Sequence, residues 1–160
     1  MQLSESIYSR LRYQHKTLAA LTEGHSEEQV KRRVNPDKWS SFENMVHLVS
    51  YQPTFIHRID LILSEESPLF GRYIAEQDPL FSAYLKKSPE ELTDILEADR
   101  LVICRKLETL KEEQLKRTAR HLRFGILDIP QWADIFLLHE AHHLWTILQL
   151  ISVYRSEANK

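Results

Sequence analysis

Two histidines four residues apart, His139 and His143, are the residues of this sequence whose type and spacing most directly suggest chemistry. In a helix, side chains at positions i and i+4 lie on one face, so both imidazoles can bind one metal ion. The two rings fall within a series of apolar residues that has the same helical spacing: Trp132, Phe136, Ile147, Leu150 and Tyr154. A polar group buried there without a partner costs roughly 2–7 kcal/mol. A shared divalent cation would remove that cost, and hydrogen bonds within the core are the alternative.

A third histidine, His47, is the candidate that would complete such a site, because a neighbouring helix of a bundle can bring it opposite the pair. His142, one position away from the apolar face, is either a substitute for His143 or a partly exposed residue. His15 interrupts the apolar series of the first predicted helix, and it is a candidate catalytic base or substrate contact. His121 precedes the last helix and is a candidate for the open coordination position.

The segment from His139 to His143 also matches the pattern H-E-x-x-H of zinc peptidases, in which Glu140 would act as the general base. This five-residue pattern fixes only three residues, all of common types, so a match to it does not by itself identify a zinc peptidase. Zinc peptidases of this kind have a sheet beside the catalytic cleft, whereas no strand-rich segment is predicted here. The alternative for Glu140 is a solvent-facing residue of the helix.

Four predicted helices must position these residues, and three of them have start signals in the sequence. Ser40 with Glu43 and Ser88 with Glu91 have the spacing of capping boxes. Pro53 lies inside the second helix and is expected to kink it. The predicted helices run approximately over Ser4–Leu21, Ser40–Leu63, Ser88–Leu110 and Asp128–Arg155. Such helices bury a shared apolar core only as a bundle, so the predicted fold class is an all-α four-helix bundle.

Length and composition limit the class of protein further. The 160 residues correspond to one domain, residues 1–160, and the three glycines are too few for a turn-rich β-sandwich or barrel. The 21 basic residues nearly balance the 23 acidic residues, which argues against a nucleic-acid-binding protein. Cys104 is the single cysteine, so neither an internal disulfide nor a multi-thiolate zinc site is expected. No signal peptide or membrane span is predicted, and a cytoplasmic location is expected.

Two segments of the sequence resemble those of a known family, the DinB/YfiT-like superfamily of small four-helix metal-binding proteins. Trp39–Leu48 (WSSFENMVHL) is similar to the start of that family's second helix, and Leu138–Leu144 (LHEAHHL) is similar to its H-x-x-x-H segment. Phe124 and Gly125, ahead of the last helix, also fit the family pattern. The resemblance extends over nearly the whole chain.

The resemblance implies one divalent metal ion, zinc or nickel, bound by His47, His139 and His143 with water in the remaining position. It also implies transfer of a low-molecular-weight thiol, such as bacillithiol or mycothiol, to an electrophilic small molecule in detoxification. A homodimer is a further expectation.

Two alternatives remain open at this stage. One is a metal-dependent hydrolase in which water is the nucleophile and Glu140 or His15 is the base. The other is a metal-binding stress or interaction protein without catalytic activity.

Overall fold

The computed structural model describes residues 3–158, and it describes the side chains of residues 3–154. The helices are α1 (Glu5–Tyr13), α2 (Thr17–Thr22), α3 (Glu27–Lys31), α4 (Ser41–Ser64), α5 (Pro79–Tyr84), α6 (Pro89–Glu108), α7 (Glu112–Leu115) and α8 (Ile129–Ala158). Short 3₁₀ turns cover Gln14–Lys16 and Ala75–Gln77. Among the helices in the described part of the chain, none is both long and apolar enough to cross a membrane.

The predicted capping boxes start two of the long helices. Ahead of α4, the Ser40 hydroxyl oxygen accepts the N–H of Glu43 at 3.1 Å, and the Glu43 carboxylate accepts the N–H of Ser40 at 2.8 Å. Ser88 and Glu91 form the same reciprocal pair ahead of α6. The α4 helix continues through Pro53 to Ser64. These reciprocal bonds satisfy N–H groups that have no partner within the first turn of a helix.

The first predicted helix is divided in the structure. Tyr13 has φ −127°, outside the helical range, and the chain then passes through the 3₁₀ turn before α2 begins. Within this turn the Gln14 side-chain amide donates to the carbonyl oxygen of Leu137 on α8 at 2.8 Å. The turn therefore directs Gln14 and its neighbour His15 into the bundle.

The segment between the third and fourth predicted helices contains two strands that the sequence does not predict. β2 (Thr118–His121) pairs antiparallel with β3 (Gly125–Asp128), and β1 (Leu69–Phe70) pairs parallel with β2. Gly125 has φ +79°, a conformation that glycine adopts without steric cost, and it begins β3. Each of these strands has at most four residues, which is too short for the alternation of apolar and polar residues to be recognised in the sequence.

The long helices form the predicted bundle around an apolar interior that has two parts. α4 packs against both α6 and α8, and α1 packs against the same two helices. One part of the core lies near the small sheet and includes Phe55, Trp132 and Phe136. The other part lies around Met45 and Ile147. α4 lies at the centre of the bundle, and one of its faces packs against α8. The histidines lie where these two helices meet.

Candidate metal centre

His47 on α4 meets His139 and His143 on α8 in a single cluster. The Nε2 atoms of His47 and His139 are 2.9 Å apart, and one ligand nitrogen from each of the three rings lies within 4.8 Å of the others. The three pairs of ring centroids are 4.4 to 4.8 Å apart. The spacing of the two histidines on α8 and the packing of α4 against that helix produce this arrangement.

His143 is held in a defined orientation by Asn44, which lies one turn before His47 on α4. The Asn44 side-chain nitrogen donates to the carbonyl oxygen of Ser40 at 2.8 Å. This bond leaves the Asn44 side-chain oxygen to accept from Nδ1 of His143 at 2.7 Å. The proton of His143 is therefore on Nδ1, and Nε2 keeps the lone pair that a metal ion requires.

The rings of His47 and His139 are not oriented by a hydrogen bond of this kind. The Nδ1 atoms of His47 and His139 are buried and have no hydrogen-bond partner among the described residues. Two neutral Nε2 atoms at 2.9 Å are held together either by one shared proton or by one cation. Zinc binds imidazole nitrogen at about 2.0–2.1 Å, so two nitrogens at this separation can belong to the same ion. The donor set of three imidazoles also suits nickel.

Burial keeps the three rings neutral at pH 7. It lowers the pKa of His47 to about 3, with a further contribution from His139. It lowers the pKa of His139 to about 4 and that of His143 to about 2, where neighbouring histidines add to the effect of burial. Since metal ions bind only neutral imidazole, protons compete little with a cation at physiological pH.

The aromatic side chains of Trp39, Tyr51 and Tyr73, which we call the aromatic wall, surround the cluster. The ring centroid of Trp39 is 5.1 Å from that of His47. The Tyr51 ring is 5.0 Å from the ring of His139, and the Tyr73 ring is 5.6 Å from that of His47. In the described part of the chain, the group of potential ligands consists of the three imidazoles, with no carboxylate or thiol in it. The arrangement is that of a neutral-ligand cation site in a largely apolar surrounding.

Glu140 lies elsewhere, although it follows His139 directly. It is 1% exposed, so the expectation of a solvent-facing residue is wrong. Its carboxylate forms a buried ion pair with Arg100 of α6 and accepts the side-chain amide of Gln14 at 2.8 Å. Adjacent residues of a helix are about 100° apart around its axis, so His139 and Glu140 face different neighbours. The structure does not bring Glu140 to the histidine cluster.

His15 is also separate from the cluster. It is buried and lines a cavity of about 760 Å³ between α1 and α6, together with Arg100 and Cys104. Its Nδ1 atom has no hydrogen-bond partner among the described residues. Burial, and then the nearby charge of Arg100, lowers the pKa of His15 to about 4.

The lowered pKa of His15 predicts a specific dependence of stability on pH. Between about pH 6.5 and 4 the unfolded chain binds a proton at this position and the folded chain does not, so stability falls as the pH falls. Replacing His15 by glutamine should reduce the loss of unfolding free energy between pH 7 and 5 by about 1–2 kcal/mol. Urea unfolding of both proteins at the two pH values measures this difference. Equal losses in the two proteins would contradict a buried, neutral His15.

The remaining candidates have distinct positions. His142 is exposed, with its ring centroid 5.1 Å from that of His143. His121 is in β2, where its Nδ1 atom accepts the N–H groups of Arg123 at 3.1 Å and Phe124 at 3.2 Å. His121 thus closes the β2–β3 turn and is not part of the histidine cluster.

Asn44 and Tyr73 were not recognised in the sequence as neighbours of the histidines. For Asn44 a signal exists, because it precedes His47 by three residues and must share its helical face. Tyr73 carries no such signal, since it lies in the loop between β1 and α5.

The fold and the site together define a class of protein. It is a small helical bundle in which two long helices, α4 and α8, bring three histidines together in a candidate metal centre. The family model of the DinB superfamily matches residues 10–147 of this sequence. The chain therefore belongs to the DinB superfamily, and the predicted membership and fold class are confirmed. A comparison with curated proteins found no significant match.

Three solved structures share the fold. A Bacillus subtilis protein, YfiT, described as a probable metal-dependent hydrolase with an unusual four-helix-bundle topology, is 20% identical with a TM-score of 0.74, over 91% of this chain and 84% of its own. An uncharacterized protein from Clostridium difficile 630 is 12% identical with a TM-score of 0.67, over 95% of both chains. A Streptococcus pneumoniae protein is 12% identical with a TM-score of 0.66, over 98% of this chain and 92% of its own.

Proposed function

We propose that this protein is a metal-dependent S-transferase that joins a low-molecular-weight thiol to an electrophilic small molecule. The observation that supports the proposal is the cluster of three neutral imidazoles with no carboxylate in it. Neutral ligands leave the full charge of a divalent cation available to an additional ligand. A bound zinc or nickel ion would supply the positive charge that lowers the pKa of a thiol, about 8.5 when free, below neutrality.

The nucleophilic sulfur must come from a cosubstrate. Cys104 is the single cysteine of the sequence, and it lies in the cavity between α1 and α6. Burial raises the pKa of its thiol, which disfavours the reactive thiolate. Bacillithiol and mycothiol are the proposed cosubstrates, on the basis of the family resemblance.

The proposed reaction needs no protein base beside the histidines. The thiol sulfur forms a bond to an electrophilic carbon, and the bond from that carbon to its leaving group breaks. The leaving group departs with the bonding electron pair, and the thiol proton is released to solvent. His47, His139 and His143 would hold the cation, and Asn44 would keep Nε2 of His143 directed towards it. The aromatic wall would limit access of water to the thiolate.

Hydrolysis is the second candidate function, because YfiT of Bacillus subtilis, which shares this fold, is described as a probable metal-dependent hydrolase. In that case water would replace the thiol as the nucleophile. The carboxylate of Glu140 is paired with Arg100 and does not belong to the histidine cluster, so the hydrolase would operate without Glu140 as its base.

The two candidates are separated by supplying each nucleophile in turn. Protein loaded with zinc or nickel, and metal-free protein, are incubated with monobromobimane and either bacillithiol, mycothiol, glutathione or coenzyme A. We expect metal-dependent conjugation with at least one thiol, loss of the rate in H143A, and retention of it in H142A. Metal-dependent cleavage of p-nitrophenyl acetate without any conjugation would favour the hydrolase. No metal-dependent rate in either assay would support a metal-binding protein without catalysis.

A further inference from the structure

Arg58 occupies an unusual position at the end of the aromatic wall. Its Nη1 atom donates to the hydroxyl oxygen of Tyr51 at 3.0 Å, and its Nη2 atom donates to the carbonyl oxygen of Gly71 at 2.9 Å. The guanidinium carbon is 5.3 Å from the centre of the Phe70 ring and 5.7 Å from that of the Trp132 ring. These contacts fix the guanidinium in one orientation. Its other N–H groups have no acceptor among the described residues.

Tyr51 lies between Arg58 and the histidine cluster. The hydroxyl of Tyr51 receives the bond from Arg58, and the ring of Tyr51 lies 5.0 Å from the ring of His139. The ring of Tyr73 lies 4.9 Å from that of Tyr51 and 5.6 Å from that of His47. Tyr73 also lines the space beside Arg58, so this space adjoins the aromatic side chains that contact the histidines.

The space beside Arg58 is open and carries excess positive charge. A cavity of about 430 Å³ is lined by Arg58, Arg72 and Tyr73. Asp78 also lines it, but its carboxylate already accepts the Tyr73 hydroxyl at 2.7 Å and the N–H of Leu80 at 2.8 Å. Within the described residues, no carboxylate forms an ion pair with Arg58 or Arg72.

A half-buried guanidinium without a counter-ion can attract an anion, because the charges of partly buried groups are screened less than those of exposed groups. Arginine is suited to this task, because its planar donors match the oxygen atoms of carboxylate and phosphate groups. The aromatic contacts also reduce the entropy that Arg58 loses when it binds an anion, since the side chain is ordered beforehand.

We propose that this cavity, the Arg58 pocket, binds an anionic group, a carboxylate or a phosphate, of the thiol cosubstrate. The inference rests on the proposed function, because it takes the molecule that extends from the histidines to Arg58 to be the thiol cosubstrate. It narrows the substrate class to anionic thiols, which include bacillithiol but not the uncharged mycothiol, and it makes Arg58 the specificity-determining residue. Arg72, which is exposed, contributes charge but little orientation.

Two matched pairs of thiols test the proposal by calorimetric titration of the zinc-loaded protein at low salt. Glutathione is compared with its diethyl ester, and phosphopantetheine is compared with pantetheine. We expect the anionic member of at least one pair to bind about 10-fold more tightly than its neutral counterpart. The pair that shows the preference identifies the group as a carboxylate or a phosphate.

Arg58→Gln should reduce this preference to less than about twofold, because the ordered cation is lost. Arg105→Gln removes the same charge from an exposed position on α6, and it should keep the preference. If Arg58→Gln fails to fold, Arg58→Lys should show an intermediate preference, since lysine keeps the charge but not the planar donors. Equal affinities within both pairs, or an unchanged preference in Arg58→Gln or Arg58→Lys, would overturn the proposal.

The same titrations on metal-free protein separate this proposal from the proposed function. If zinc activates the thiol, removing it lowers the affinity for both members of a pair, while the ratio between them persists. Thiol affinities that do not change on removal of zinc would contradict the proposed S-transferase function. The ratio of affinities between the anionic and the neutral member of a pair would still test the Arg58 pocket independently.

Discussion

Replacing His139 by alanine is expected to lower the affinity for zinc or nickel by more than about 100-fold. Loss of a residue that only orients a metal ligand typically costs 10–100-fold, and loss of a ligand should exceed that range. His139 is predicted to be such a ligand, since its Nε2 atom lies 2.9 Å from that of His47. The measurement is calorimetric titration of the metal-free protein with each ion, supported by elemental analysis.

His142→Ala is the matched control for this experiment. His142 belongs to the same helix and is exposed, and its imidazole is not part of the cluster of potential ligands. Its removal should change the affinity by less than about twofold. Affinities that fall equally in the two variants would show that the cation binds to surface imidazoles of α8 rather than between the helices.

Replacing Glu140 by alanine is expected to lower the free energy of unfolding by about 3–5 kcal/mol, because it leaves Arg100 charged and buried without its partner. Both side chains of this ion pair are 1% exposed. Arg100 also donates to the carbonyl oxygen of Leu11 at 3.3 Å and to the side-chain oxygen of Gln52 at 3.3 Å. The pair thus connects α6 and α8 to α1 and α4. Urea unfolding of the variant and the parent protein measures the loss.

Two variants test whether the cost arises from the unpaired buried charge. Asp134→Ala removes a carboxylate of the same helix whose ion pair with Arg10 is partly exposed, and it should cost less than about 1 kcal/mol. The double variant R100M/E140L removes both charges, and it should be more stable than Glu140→Ala alone. A cost below about 1 kcal/mol for Glu140→Ala would contradict the structural role of the ion pair.

The long helices could be predicted from the sequence because their signals are local. Reciprocal serine and glutamate caps precede α4 and α6, and apolar residues recur at helical spacing along α8. The meeting of His47 with His139 and His143 could also be anticipated, since helices in a bundle pack face to face. The role of Glu140 could not be read in the same way. Its partner Arg100 is 40 residues earlier in the sequence, and no local pattern links the two.

The small sheet and the Arg58 pocket depend on contacts between remote segments. β1 and β2 pair Leu69 with Arg120 and Phe70 with His121. The whole of α5, α6 and α7 lies between these two strands in the sequence. Gly71, which accepts the bond from Arg58, follows β1 directly. Single-residue propensities carry no information on such pairings, so neither feature could be predicted from the sequence alone.

X-ray absorption spectroscopy at the metal edge of the zinc-loaded protein tests the central claim most directly. The claim is that His47, on one helix, and His139 and His143, on another, bind the same cation. The spectrum should show three imidazole nitrogens at about 2.0–2.1 Å, and two in His47→Ala. A first shell made of oxygen or sulfur atoms, or an unchanged number of imidazoles in His47→Ala, would contradict it.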